Sequence, residues 1–359
     1  MVSLSLCMIV KDEESVLERC LKSVKDHVDE IVIADTGSLD KTVEIARRFT
    51  DKVFPFAWQE DFAAARNFSF SKASGDYILW LDADDVITEE NGEKLEALKR
   101  LLDSSPADTV ICPYDTAVDQ NGGVISSCNR ERIVRREGKW RWHGCVHECI
   151  PSFGRVIVSN FRVTHKRSEK ERGSRNLDIY RKNIARGYPL SARDKFYYGR
   201  ELYYNRLFLE AEAVLTEMIQ SPDGWSVNKI EACRILALCR TQRGERSKAL
   251  EAYFKGFLYG APRAGALCGI GQLFKEEERF KEAVFWYQAA FGCESHVGDG
   301  DFEETYDRSL YPALGLVYCF YRLGDRAEAA RWHRICEEIS PEHPSVVYNA
   351  PFFKEEEKI

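Results

Sequence analysis

Three stretches of this chain are almost purely apolar and of strand length: Leu4–Val10, Glu30–Asp35 and Tyr77–Leu81. A strand with no polar face has to be covered on both sides, and parallel sheets do this with crossover helices. The intervening sequence supplies those helices. Val16, Leu17, Cys20, Leu21 and Val24 fall on one helical face within Glu13–Val24. Ser38 or Asp40 can cap a helix over Thr42–Phe49, Val53–Phe56 is strand-like, and Ala63–Ala73 is helical. The alternation predicts an α/β domain with a mainly parallel sheet. From Val110 to His165 the strands shorten, with Thr109–Cys112, Arg132–Arg135 and Arg155–Val158 set among Gly-rich and charged turns. We expect these to complete the same domain, with the charged run Lys166–Arg175 as its exit.

From about Lys195 the pattern becomes helical and repetitive. Ala211, Ala249, Ala283 and Ala329 recur in similar frames, and Gly244 and Gly324 stand at the same offset before their alanines. Glu278 occupies the corresponding place before Ala283, and Cys293–Arg308 reads as an acidic insertion. The segment resembles tetratricopeptide (TPR) repeats, whose period is about 34 residues and whose small residues let paired helices touch. The expected organisation is an α/β domain over 1–170, a connecting helix over 171–194, an all-α repeat domain over 195–347 and a frayed tail over 348–359. A length of 359 residues fits two cores better than one.

Composition narrows the partners. Net charge is −7 with no basic run, which argues against a nucleic-acid-binding surface. The apolar start, Met1–Val10, is short, lacks a basic lead and runs into Lys11-Asp12-Glu13-Glu14, so neither an export signal nor a membrane span is expected. The expectation is a cytoplasmic protein whose 12 cysteines are mostly reduced and structural.

The chemistry is concentrated where strands end. Asp82-Ala83-Asp84-Asp85 follows an apolar strand directly, at the edge where α/β folds bind ligands. Two carboxylates one residue apart can share a hard divalent cation, which in turn neutralises a diphosphate. A solvated acidic turn is the plain alternative. Asp35 ends an earlier strand before Thr36-Gly37-Ser38 and suits a ribose hydroxyl or base N–H, or else an Asx-turn. Arg66, beside Asn67, suits a phosphate or a uracil edge, or a surface ion pair.

Four segments in this order, Ile9–Glu14, Ile33–Thr42, Ala65-Arg66-Asn67 and Leu81–Asp85, resemble the family 2 glycosyltransferases of the GT-A nucleotide-sugar-binding fold. The resemblance covers residues 1 to about 165. It implies that Val10, Lys11, Glu13 and Asp35 line a uridine site, with Arg66 near the base or phosphates. Asp82 and Ala83 would then meet the nucleotide sugar, while Asp82 and Asp84, with His147, flank Mg²⁺ or Mn²⁺. Asp12 stands where that family often has Asn, so no specific role attaches to it.

A second constellation is Trp140-Arg141-Trp142-His143-Gly144-Cys145-Val146-His147-Glu148-Cys149. If extended, it places His143, Cys145, His147 and Cys149 on one face. Neighbours on a single strand cannot wrap a tetrahedral ion, which argues against zinc. A catalytic loop is the better reading: His147 or Glu148 can remove an acceptor proton, and Trp140, Trp142 and His143 can contact a sugar. Core packing explains the tryptophans equally well. The Trp-His-Gly-x-Val-His-Glu pattern followed by a repeat tail is similar to the peptide S-glycosyltransferases of sublancin-type bacteriocins. It implies inverting transfer of glucose from UDP-glucose to a cysteine thiol, with Asp84, His147 and Glu148 as catalytic residues. Related enzymes acting on glycan acceptors share the Val-His-Glu element, so a glycan or lipid-linked acceptor is the alternative. A TPR interaction protein with an inactive domain is a third. The repeat tail, dense in aromatics, is expected to hold the peptide acceptor or to self-associate as a homodimer.

Overall fold

The computed structural model describes residues 1–118, 124–138, 140–166, 173–294 and 305–353, which divide into two compact units, Met1–Pro189 and Leu190–Ile359.

The first unit is α/β. In chain order it contains β1 (Leu4–Val10), α1 (Leu17–Val24), β2 (Glu30–Asp35), α2 (Thr42–Arg47), β3 (Val53–Pro55), α3 (Phe62–Phe70) and β4 (Tyr77–Trp80). There follow β5 (Asp85–Val86), α4 (Glu89–Ser104), β6 (Thr109–Val118), β7 (Val124–Arg135), β8 (Val156–Val158), β9 (Val163–His165) and α5 (Arg175–Ala185). The strands form a mixed sheet in the order β3-β2-β1-β4-β7-β6-β9-β5, with β8 beside β6. β3, β2, β1 and β4 run parallel, as the apolar runs predict, and β7 enters antiparallel to both β4 and β6.

Alternation along these strands feeds two cores. Leu6, Met8, Val10, Ile33 and Leu79 face α1 and α4, where Leu17, Leu21, Leu95 and Leu98 close over them. Cys7, Val32, Ile78 and Trp80 face the other way, onto Phe70 of α3 and the segment carrying Trp142 and Ile150. Each such burial contributes about 1.5–3 kcal/mol. The crossovers leave the carboxyl ends of β1, β2 and β4 open at one edge.

The second unit is helical: α6 (Ala192–Tyr204), α7 (Phe208–Gln220), α8 (Ser226–Gln242), α9 (Arg246–Gly256), α10 (Ala264–Glu276), α11 (Phe280–Phe291), α12 (Leu310–Arg322), α13 (Arg326–Ile339) and α14 (Pro344–Asn349). Successive helices pair, and the tight turn within each pair passes through a left-handed residue: Arg206 (φ 60°), Gly244 (φ 74°), Glu278 (φ 59°) and Gly324 (φ 84°). Ala211, Ala249, Ala283 and Ala329 follow at one common offset, each fully buried. This is the repeat seen in the sequence. Within the stretch expected to fray from 348, α14 continues to Asn349, a 3-10 turn covers Ala350–Phe352, and Phe353 packs on the core. Residues 354–359 lie outside those described, as do 167–172 of the exit run and 295–304 of the acidic insertion.

Candidate functional site

A cleft of about 360 Å³ opens at the carboxyl edge of β1 and β4. It is lined by Ile9, Val10, Lys11 and Glu13 from the end of β1 and the loop after it, by Asp82, Ala83 and Asp84 from the turn after β4, and by Val146, His147 and Glu148 from the segment before β8. Thr36, Phe62, Arg66, His165, Arg175 and Asn176 complete it.

Local chemistry explains how each strand end is held. Gly37 and Ser38 donate their backbone N–H groups to the Asp35 carboxylate at 3.1 and 3.2 Å, making the Asx-turn foreseen as one of its two readings. Asp35 is buried in that turn, and its neighbour Thr36 reaches the cleft lining instead. Asp12 takes a left-handed conformation (φ 52°) and accepts from the Leu39 N–H at 2.7 Å, which ties the loop after β1 to the loop after β2.

The segment containing Trp140–Cys149 is not extended. His143 and Cys149 pair as an antiparallel bridge, closing a turn in which Gly144 (φ 94°) and His147 (φ 51°) are left-handed. The side chains of His143, Cys145, His147 and Cys149 therefore do not share one strand face, which removes the premise of the zinc reading. Asn67 clamps this turn to α3: its side chain accepts from Trp142 N–H and donates to Trp142 C=O, both at 3.0 Å.

The tryptophans belong to the core. Trp142 is 3% exposed and packs edge-on against Trp80 at 5.0 Å. Trp140 packs against Phe70 at 4.9 Å and donates its Nε1–H to Arg135 C=O. Neither they nor the exposed His143, the three residues expected to contact a sugar, is among the residues lining the cleft.

Arg66 is not a surface ion pair. It is buried, with its guanidinium carbon 4.7 Å from the Trp80 ring centroid and 4.9 Å from that of Trp142. Its Nη2 donates to Asp82 Oδ1 at 2.7 Å and its Nε to Glu148 Oε1 at 2.6 Å. Burial alone would raise the Asp82 pKa, but Arg66, with Arg132 behind it, outweighs burial and holds the carboxyl below its usual range.

Among the described residues, the group placed to hold a metal ion is Asp84, Asp85 and His165, whose ligand atoms lie within 4.8 Å of one another. Neither Asp82 nor His147, expected as ligands beside Asp84, belongs to it. His165 Nδ1 is 3.4 Å from Asp84 Oδ1 and 3.5 Å from Asp85 Oδ1, and these carboxylates push the imidazole pKa up to about 9. Of the three, Asp84 and His165 line the cleft and Asp85 does not; a carboxylate and an imidazole there fit a divalent cation such as Mn²⁺ or Mg²⁺. The geometry brings Asp84 into that donor set and draws His165 from a strand far along the chain.

Residues 5–154 match the family model described as glycosyl transferase family 2. They are a family 2 glycosyltransferase domain. Over 208 residues the chain is 31% identical to the SPbeta prophage-derived glycosyltransferase SunS of Bacillus subtilis, covering 55% of this chain and 48% of SunS. It is 48% identical over 300 residues to a TPR repeat-containing protein of Synechococcus elongatus, covering 81% of this chain and 66% of that protein. The chain thus spans about half of one relative and about two thirds of the other. Among solved structures, glucosyl-3-phosphoglycerate synthase from Mycobacterium tuberculosis, in complex with Mn²⁺ and UDP-glucose, is similar at 16% identity and a TM-score of 0.36, covering 53% of this chain and 81% of that one. Among the described residues, no helix is long and apolar enough to cross a membrane.

Proposed function

We propose that this protein is an inverting, metal-dependent glycosyltransferase that moves a hexose from a UDP-sugar to a peptide or protein side chain. The observation that carries this reading is the cleft itself. Its lining includes Asp84 and His165 together with His147 and Glu148, at the carboxyl edge of a family 2 domain.

Val10, Lys11 and Glu13 line the nucleoside end, and Thr36 stands there in the place expected for Asp35. Asp84 and His165 would hold Mg²⁺ or Mn²⁺, with Asp85 behind them. When bound, the cation supplies electrostatic stabilisation to the departing diphosphate. Lys11 and Arg175, also in the lining, add positive charge toward that group. His147 or Glu148 removes the acceptor proton. Arg66 holds Glu148 by Oε1, which fixes the direction of its carboxylate, while the left-handed backbone of His147 turns that residue into the lining. A cysteine thiol asks less of this base than a hydroxyl, because its ordinary pKa of about 8.5 leaves some thiolate at neutral pH.

SunS is named a glycosyltransferase, and its likeness to this chain supports the transferase reading; the peptide acceptor rests on the sequence pattern Trp142–Glu148 followed by the repeat tail. The helical unit offers a place to hold such a peptide. A groove of about 360 Å³ there is lined by Gln272, Lys275, Tyr287 and Tyr311, and Tyr318 is 44% exposed. Self-association through this unit is the alternative use of that surface.

The test is incubation with a panel of UDP-hexoses, Mn²⁺ and a cysteine-containing peptide, read by intact mass. A gain of one hexose on the peptide is expected. Hexose appearing on an added glycan and never on peptide would overturn the acceptor assignment.

A further inference from the structure

Arg132 has an environment that packing does not explain. It is fully buried in β7, and its guanidinium carbon lies 3.9 Å from the Trp80 ring centroid and 4.2 Å from that of Tyr114. Nη1 donates to Trp80 C=O at 3.2 Å and pairs with Asp85 Oδ2 at 3.1 Å. Nε and Nη2 have no hydrogen-bond partner among the described residues. A buried ion pair with unpaired N–H groups is a poor way to stabilise a core, since apolar side chains of similar volume usually serve as well or better. Its retention points to what Asp85 does.

Asp85 is itself fully buried, and both of its oxygens are in use. Oδ2 accepts from the backbone N–H of Asp82 at 3.0 Å, and Oδ1 accepts from Tyr114 Oη at 2.8 Å. Tyr114 Oη in turn meets His165 Nδ1 at 3.0 Å. One carboxylate therefore fixes the start of the turn that carries Asp84 and, through Tyr114, the imidazole beside Asp84. Arg132 is the charged partner of this carboxylate where water does not reach. Arg66, over the same indole, secures the turn from its other residue, Asp82.

Building on the transferase reading above, we propose that Arg132 is a positioning residue for the cation site, acting through Asp85 to set the spacing of Asp84 and His165. Electrostatics and positioning predict opposite signs for its removal. By Coulomb's law alone, deleting a buried positive charge near a divalent-cation site tightens cation binding. Freeing Asp85 to become a further ligand does the same. Loss of positioning weakens it, by about tenfold or more where groups behind metal ligands are removed.

The experiment is titration of Mn²⁺ alone, followed by loss of the free-ion electron paramagnetic resonance signal, on the full-length chain, Arg132→Met and Arg132→Met/Asp85→Asn. The double variant removes the buried pair as a neutral unit and so keeps the test open if the single variant does not fold. Weaker Mn²⁺ binding by a folded variant, judged by circular dichroism, supports the proposal. Equal or tighter binding overturns it and leaves the transferase reading standing. If the unaltered chain binds no Mn²⁺ even with UDP present, the metal-dependent reading falls, and this inference falls with it.

Discussion

The two units bury charge in different ways. In the α/β unit, buried ion pairs join residues far apart in sequence: Arg132 with Asp85, and Arg66 with Asp82 and Glu148. In the helical unit the pair with the most buried carboxylate is local, Glu231 with Arg234 one turn along α8, while the longer-range pair of Glu212 with Arg240 stays partly exposed on both sides. Its buried interior is mostly apolar, with aliphatic side chains such as Leu215, Leu236 and Leu316 beside close small-residue contacts, as where Gly315 lies against the ring of Tyr287. A long-range pair is costly to bury and holds a site in register. A local pair only trims a helix surface. The difference suggests that the first unit spends stability on chemistry and the second on shape.

That contrast can be broken most sharply by removing one carboxylate from each unit. Asp85→Ala leaves Arg132 buried and uncompensated and should cost about 3–5 kcal/mol in urea unfolding. Glu231→Ala leaves Arg234, whose side chain is 30% exposed, to find water, and should cost no more than about 1 kcal/mol. Equal losses would show that the two pairs are not different in kind. Next in size is Gly315→Ala. Its new Cβ would sit 2.6 Å from the Tyr287 ring, so overpacking of about 1–3 kcal/mol outweighs the gain of about 1 kcal/mol in helix propensity. Faster hydrogen exchange in α11 and α12, with Mn²⁺ binding unchanged, is expected, and no change in exchange would contradict the close seat.

The smallest effect concerns the opposite edge of the sheet. Burial would raise the Glu30 pKa, but hydrogen bonds from Lys52, Ser5 and Ser74 prevail and bring it to about 2. A carboxylate depressed in the folded state contributes stability that is present above its unfolded pKa and lost as pH falls through the folded one. The unaltered chain should therefore lose this contribution between about pH 4.5 and pH 2. Glu30→Gln should show a shallower decline over that window in acid unfolding, and an unchanged slope would rule the contribution out.

Much of the fold was legible because its signals are local. The apolar runs of β1, β2 and β4, and the alanine frames of the repeats, each follow from patterns within a few turns of chain. The turn residues Arg206 and Glu278 hid part of the repeat, because an L-residue accepts the left-handed conformation at a cost of about 1–2 kcal/mol and leaves no glycine to see. Helix α4 went unread although Leu95, Leu98 and Leu102 carry its buried face. At the site, the Asp82–Asp85 turn was visible as a motif, but its division of labour was not. Arg132 is one of several charged residues in Asn129–Arg135 and nothing local marks it as the buried one, while His165 lies on a short strand whose partner β5 spans only Asp85–Val86. The Trp140–Cys149 segment misled for a related reason. A left-handed His147 makes a turn where residue types alone suggest a strand.

The central claim is that Asp84 and His165 bring a divalent cation to a sugar diphosphate. Its most direct test is UDP release from UDP-hexose, measured for the unaltered chain and Asp84→Asn with Mn²⁺ or with EDTA. The account predicts release by the unaltered chain with Mn²⁺ only, and a fall of about 10²–10³-fold or more in Asp84→Asn with its circular dichroism unchanged. Release that persists in EDTA, or survives in Asp84→Asn, would contradict it.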